Sequence, residues 1–87
     1  MTFKQMIEKD YTLHSSNNNK DIVTYVHKRH IFFLIIYEKQ EQAILEGHLD
    51  LITFKLGPFS VPNKNFKNFE RQMIHVITKL EEVKKAE

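Results

Sequence analysis

Apolar and polar positions divide this chain into segments of different period, and the densest apolar segment is Ile31-Phe32-Phe33-Leu34-Ile35-Ile36-Tyr37. β-Branched and aromatic side chains suit a pleated surface, and a run of this length fits a strand better than an independent helix. Side chains alternate across a strand, so Ile31, Phe33, Ile35 and Tyr37 share one face while Phe32, Leu34 and Ile36 share the other. Both faces are apolar, which predicts a central strand in need of cover on each side. A bilayer span needs about 20 apolar residues, so this run is too short to cross one.

The flanking pattern predicts the neighbours. Thr2 and Gln5 have the capping-box spacing, and Phe3, Met6 and Ile7 fall on one side of a short helix running to Asp10. Tyr11 and Leu13 alternate with Thr12 and His14 as a brief strand. Ser15, Ser16, Asn17, Asn18 and Asn19 follow as a loop, because their side chains compete for backbone hydrogen bonds. Ile22 to Lys28 reads as a strand, with Val23 and Tyr25 on one face and Ile22, Thr24 and Val26 on the other. A tight turn at Lys28 and Arg29 pairs it with the central run as an antiparallel hairpin.

Glu38 to Gln42 supply a reversal. Ala43 to Leu56 then form one long strand or two short ones, interrupted at Gly47-His48, where the alternation changes phase as it does at a bulge. Gly57 and Pro58 break the pattern, Phe59 and Val61 make a short edge strand, and Pro62-Asn63 ends it. Phe66, Phe69, Met73, Val76, Leu80 and Val83 recur at three- and four-residue spacings, and with Ile77 they fall within an arc of about 120°. This predicts a helix over Phe66 to Lys85, capped by Asn63 or Asn65. Ile74 lies outside the arc and marks a second contact.

The fold class that follows is α+β: an antiparallel sheet of three or four strands, with a long C-terminal helix packed on one face and a short N-terminal helix. Residues 1–87 form a single small domain. The long helix covers one face of the central strand. For the other, Phe3, Met6 and Ile7 offer little apolar area, so its unfilled part calls for a partner protein or a second copy. The uncovered face carries either the Phe33 set or the Phe32 set; the protein-interaction candidates are Phe32, Leu34 and Ile36, with Ile74.

Charge adds an alternative. The formal net charge is only +2, but Lys20, Lys28 and Arg29, and later Lys55, Lys64 and Lys67, are concentrated in two stretches, whereas Glu38, Glu41, Glu46 and Asp50 dominate the stretch between. If folding joins the basic stretches, Lys28, Arg29, Lys55, Lys64 and Lys67 would track a phosphate backbone, with Tyr25, Tyr37 or Phe59 stacking on bases. The order of sheet, Gly57-Pro58-Phe59-Ser60-Val61 and long helix resembles the positive-cofactor-four type of single-stranded-DNA-binding domain over the last third of the chain. That resemblance would imply dimerisation through the helix; the basic, aromatic-rich strands that the type carries ahead of it are not recognisable here.

Candidate chemistry is sparse. The absence of cysteine removes disulfides and thiolate metal sites and suits a reducing compartment, and Met1 to Asp10 lack a signal-peptide core, so the expected location is cytoplasmic. His27 and His30 would point to opposite faces of a strand, and no paired zinc motif occurs, so no metal or other cofactor is expected. Ser15, Ser16 and Ser60 have no nucleophile-elbow context, and two glycines cannot make a phosphate cradle. No small-molecule substrate is evident. The expectation is a non-enzymatic protein-interaction module, of the kind a bacterial or phage regulator or inhibitor would be, with a homodimer among its forms and single-stranded nucleic acid as the alternative partner.

Overall fold

The chain begins as a helix because Thr2 and Gln5 cap each other. In the computed structural model, which describes residues 2–17, 19 and 21–86, Thr2 Oγ1 accepts from the Gln5 N–H at 3.1 Å and Gln5 Oε1 accepts from the Thr2 N–H at 2.9 Å. This first helix, α1 (Phe3–Asp10), passes with no intervening residue into strand β1 (Tyr11–Ser16). The Tyr11 N–H closes the helix by donating to the Ile7 carbonyl. Strands β2 (Ile22–His27), β3 (Phe32–Tyr37), β4 (Gln42–Leu49) and β5 (Ile52–Ser60) follow, with one 3₁₀ turn at Glu38–Gln40, and then helix α2 (Phe66–Ala86). The sheet is an antiparallel meander in the order β1-β2-β3-β4-β5.

The α+β class and both helices are as expected, but the sheet has five strands rather than three or four. Ser15 and Ser16 continue β1 instead of opening the loop, pairing with Thr24 and Val23 across a register shift that skips His14. The segment after Gln42 is two long strands. Their reversal lies at Asp50-Leu51, where Asp50 takes a positive φ of 56°, and Gly47 and His48 are ordinary ladder positions of β4. Phe59 is part of β5 itself. Its strand accommodates Gly57-Pro58 by placing these two residues opposite Ile44 alone, so the ladder shifts there.

Both helices lie on one face of the sheet. Phe32, Leu34 and Ile36 of β3 and Ala43 and Leu45 of β4 are buried together with Ile7 of α1 and Phe66, Met73 and Ile77 of α2. The Phe3 and Phe66 rings meet edge to face at 5.2 Å, joining the two helices. The helical face also differs from the expected arc. Val76 and Val83 are 41% and 59% exposed, while the line Phe66, Glu70, Met73, Ile77 is buried and Ile74 packs against the core. Glu70 shifts the face, because a carboxylate can occupy the buried line when it is hydrogen-bonded.

Gly57 is the position where the backbone demands glycine. Its φ is +125°, and a Cβ there would lie 3.0 Å from the Ala43 carbonyl oxygen and 3.2 Å from the Phe59 ring. Gly57→Ala is therefore expected to cost about 1–3 kcal/mol in urea denaturation; an unchanged midpoint and slope would show that the bulge relaxes without strain.

Candidate interaction surface

Residues opposite each other in a ladder share a face, so the register identifies every side chain on the side away from the helices. One row reads Thr12, Val26, Phe33, Glu46, Lys55; the next reads Ser15, Thr24, Ile35, Ile44; the third reads Ile22, Tyr37, Gln42, Ser60; and His48 pairs with Thr53 beyond the first row. No helix covers these rows. Phe33, Ile35, Tyr37, Ile44 and Val26 are only half-buried, and Ile22 is 39% exposed.

Histidines frame the patch. The Phe33 ring lies between His14, at a centroid distance of 5.3 Å, and His48, at 5.9 Å. His14 belongs to β1 at the register shift, which frees it from the ladder to reach across the sheet. Glu46 is the acid beside Phe33. Its Oε1 lies 3.9 Å from Lys55 Nζ and 3.7 Å from His48 Nε2, and the Thr53 hydroxyl is 3.2 Å from His48 Nδ1. Glu46 and Lys55 are also the only charged residues within the five strands.

The charged residues that sequence spacing brought forward gather elsewhere. At the junction of α1, the β2–β3 turn and the first turn of α2, Asp10 accepts from Lys67 Nζ at 3.1 Å and from Arg29 at 3.3 Å. Lys67 also donates to Glu70 at 3.2 Å, and the buried Tyr11 hydroxyl donates to the other Glu70 oxygen at 2.7 Å. The Lys67 hydrogen bond, aided by Arg29, holds the Asp10 carboxyl below its usual range against the opposing effect of burial. Burial works against the Lys67 ammonium, but Asp10 and Glu70 outweigh it and raise its pKa. Burial, reinforced by Glu70, pushes the Tyr11 hydroxyl far up, so Tyr11 stays a neutral donor.

His27 completes this corner. It stacks on Phe32 at 4.8 Å, and its Nδ1 accepts the Arg29 backbone N–H at 3.1 Å, which fits a neutral ring; burial lowers its pKa. The expectation that His27 and His30 diverge fails, because His30 lies in the turn rather than on a strand and brings its ring within 5.1 Å. No group of three or more metal-binding side chains occurs among the described residues.

The predicted site residues therefore separate. Phe32, Leu34 and Ile36 are core, at 0%, 0% and 7% exposure under the helices, so they present nothing to a partner; the open set is the one with Phe33. Ile74 is half-buried on α2, away from that face. Arg29 and Lys67 converge on Asp10, and the Lys28 ammonium reaches the Glu8 carbonyl near them at 3.4 Å. Lys55 stands on the opposite side of the sheet, and Lys64 lines a separate cleft of about 370 Å³ with Phe3, Met6 and Pro62. Lys20 and Asn18 lie outside the described residues. Of the aromatic candidates, Phe59 is core, Tyr37 is on the open face, and Tyr25 lines a cleft of about 340 Å³ with Phe3, Ile7, Ile36 and Val61. The polar corner belongs to neither cleft.

Ile44, Val26 and the framing pair His14 and His48 were not singled out by sequence, although the alternation of Ile22, Thr24 and Val26 carried part of the signal. No helix of the described residues is long and apolar enough to cross a membrane. No family model matches this chain, and neither a curated protein nor a solved structure does.

Two predictions test the polar corner. Tyr11→Phe leaves a Glu70 oxygen without its donor and should cost about 1–3 kcal/mol in urea denaturation. For His27 the folded pKa is below the ordinary 6.5, so the unfolded chain binds the extra proton. Its contribution is complete above pH about 6.5 and is lost as pH falls from there toward the folded value. Stability should decline over that window in wild type and change less in His27→Gln; parallel profiles would remove His27 as the cause.

Proposed function

We propose that this chain is a non-enzymatic protein-interaction module whose contact surface is the open face of its sheet. The observation that supports it is the patch of Val26, Phe33, Ile35, Tyr37, Ile44 and Ile22, left without cover on the side of the sheet opposite both helices. Soluble chains seldom keep contiguous apolar surface of this kind without a use for it. Its composition favours protein over nucleic acid as the partner. Phosphate recognition needs several free cations on one surface, and among the described residues the strands bring a single lysine to this face, already beside Glu46.

The non-enzymatic part of the reading has its own support. The cluster of Asp10, Tyr11, Lys67 and Glu70 is hydrogen-bonded within itself, His27 beside it accepts from the Arg29 backbone N–H, and all five lie outside both large clefts, so their chemistry is directed to neighbours rather than to a bound molecule. A small regulator or inhibitor acts in this way, by occupying a surface of its target.

Affinity retention tests the proposal. A tagged chain is exposed to nuclease-treated and untreated extract of its host, also containing untagged chain, and retained polypeptides are identified by mass spectrometry. Retention of a protein, whether foreign or the untagged chain, should survive nuclease, be abolished by Ile44→Lys on the open face and persist in His75→Ala on exposed α2. Retention that requires nucleic acid, or that ignores Ile44→Lys, would overturn the reading.

A further inference from the structure

The three rows of the open face repeat with a symmetry that an arbitrary apolar patch would not have. The row Val26, Phe33, Glu46, Lys55 and the row Ile22, Tyr37, Gln42, Ser60 each read aliphatic, aromatic, polar, polar across β2 to β5. Between them runs Thr24, Ile35, Ile44. Over β2 to β5 these rows therefore look much the same when the strand direction is reversed about the middle one. That operation is the twofold rotation of a face-to-face dimer, in which each strand lies across its own counterpart and the outer rows exchange places.

We infer that the occupant of the open face is a second copy of this chain, packed sheet to sheet about a twofold axis along the Thr24-Ile35-Ile44 row; this rests on the open face being the contact surface. Phe33 then meets Tyr37 of the partner subunit, and Val26 meets Ile22 of the partner subunit. Ile35 and Ile44 meet their own counterparts at the axis. Glu46 faces Gln42 of the partner subunit, and Lys55 faces Ser60 of the partner subunit, so the one charged pair on the face meets polar groups instead of apolar ones. Within these rows no like charges are opposed.

The available area, about 480 Å² per partner in projection, suits a pair at the low end of interface sizes, one that forms and dissociates with concentration. Five strands about 4.8 Å apart and six residues long at about 3.3 Å per residue give a footprint of about 24 by 20 Å in projection. Side-chain relief raises the accessible area above that projection, toward the roughly 800 Å² that each partner contributes to a standard interface. Aligned sheet packing brings two such faces to about 10 Å with strands within about 30° of one another, which preserves the row-to-row correspondence.

Two competing surfaces are less suited to a second copy. The edge of β1 is irregular, since the Tyr11 N–H is bound to Ile7 and the strand shifts register against β2 between Leu13 and Ser15. The flank of α2 exposes Val76 and Val83, but its lower half lies beside the ion pair of Lys84 with Asp50 at 2.8 Å.

Light scattering and sedimentation of the purified chain across a dilution series test the inference. The expected mass at high concentration is twice that of the 10.4 kDa chain, and Ile35→Lys at the axis should return it to one chain with an unchanged far-UV spectrum. Gln42 is exposed and provides a test that does not depend on Ile35→Lys folding. Gln42→Lys should tighten the dimer and Gln42→Glu weaken it, each by about three- to tenfold, because the twofold repeats every contact with Glu46 of the partner subunit. Four results would overturn the inference: a monomer throughout, a dimer indifferent to Ile35→Lys, a dimer dispersed instead by Val76→Lys, or shifts of the same sign in both Gln42 variants. A monomer whose retention of another protein is still abolished by Ile44→Lys would refute the second copy alone. Loss of that face-dependence as well would refute the contact surface.

Discussion

The carboxylate of Asp10 holds the structure's main constraint, because it ties the junction of α1 and β1 to the first turn of α2 through Lys67 and to the β2–β3 turn through Arg29. Helix and strand meet there with no connecting residue, so α1 cannot cross the sheet edge to reach the other face. It must lie on the side to which Tyr11 points. That side also receives α2, since Tyr11 and Lys67 both bond Glu70 and the Phe3 ring packs on Phe66. Two helices are thereby committed to one face. The opposite face is left open by the same contacts that stabilise the first.

Polar groups follow the same division. Asp10, Tyr11, His27 and Glu70 are all buried at one end of the helical side, and each has a partner, which keeps their desolvation from becoming a net loss. Ion pairs between a buried carboxylate and a partly exposed cation, as Asp10 and Glu70 make with Lys67, add little to stability, but removing the cation leaves the carboxylate's desolvation less compensated. Their use here is geometric. Asp10 accepts from two different elements, and Glu70 takes a neutral donor from β1 and a cation from its own helix, so the sheet edge and both helices have one relative arrangement that satisfies all of them.

Local pattern carried much of the fold but not the pairing of faces. The capping box at Thr2 and Gln5, the central strand and the long helix are consequences of short-range chemistry, and a reader of the sequence can place them. The strand count was underestimated because Ser15 and Ser16 have turn-forming side chains yet find partners in β2, and because the reversal at Asp50-Leu51 has no glycine to announce it. The assignment of Phe32, Leu34 and Ile36 to a partner surface failed for a different reason. A strand apolar on both sides contains no information about which side the helices take; that depends on Asp10 meeting Lys67, a contact between residues far apart in sequence. The rotated face of α2 has the same origin. Glu70 stands beside the apolar arc, but a carboxylate there gives no sign of burial, and only its long-range bond to Tyr11 makes the buried position tolerable.

A domain of this size covers a limited share of its apolar surface on folding, and here the limit is distributed unevenly. The inner face has two helices, while the outer face has nothing but its own close-set side chains. Placing nearly all charge in helices and turns keeps the outer face free of desolvation cost when something covers it, but leaves the unbound chain with an apolar surface in water. Any occupant that binds only the folded chain therefore adds its binding free energy to folding, and stability becomes a function of that occupant's concentration. For a second copy the relevant concentration is the chain's own. The face that leaves apolar surface in water would then also make the chain's stability respond to its abundance.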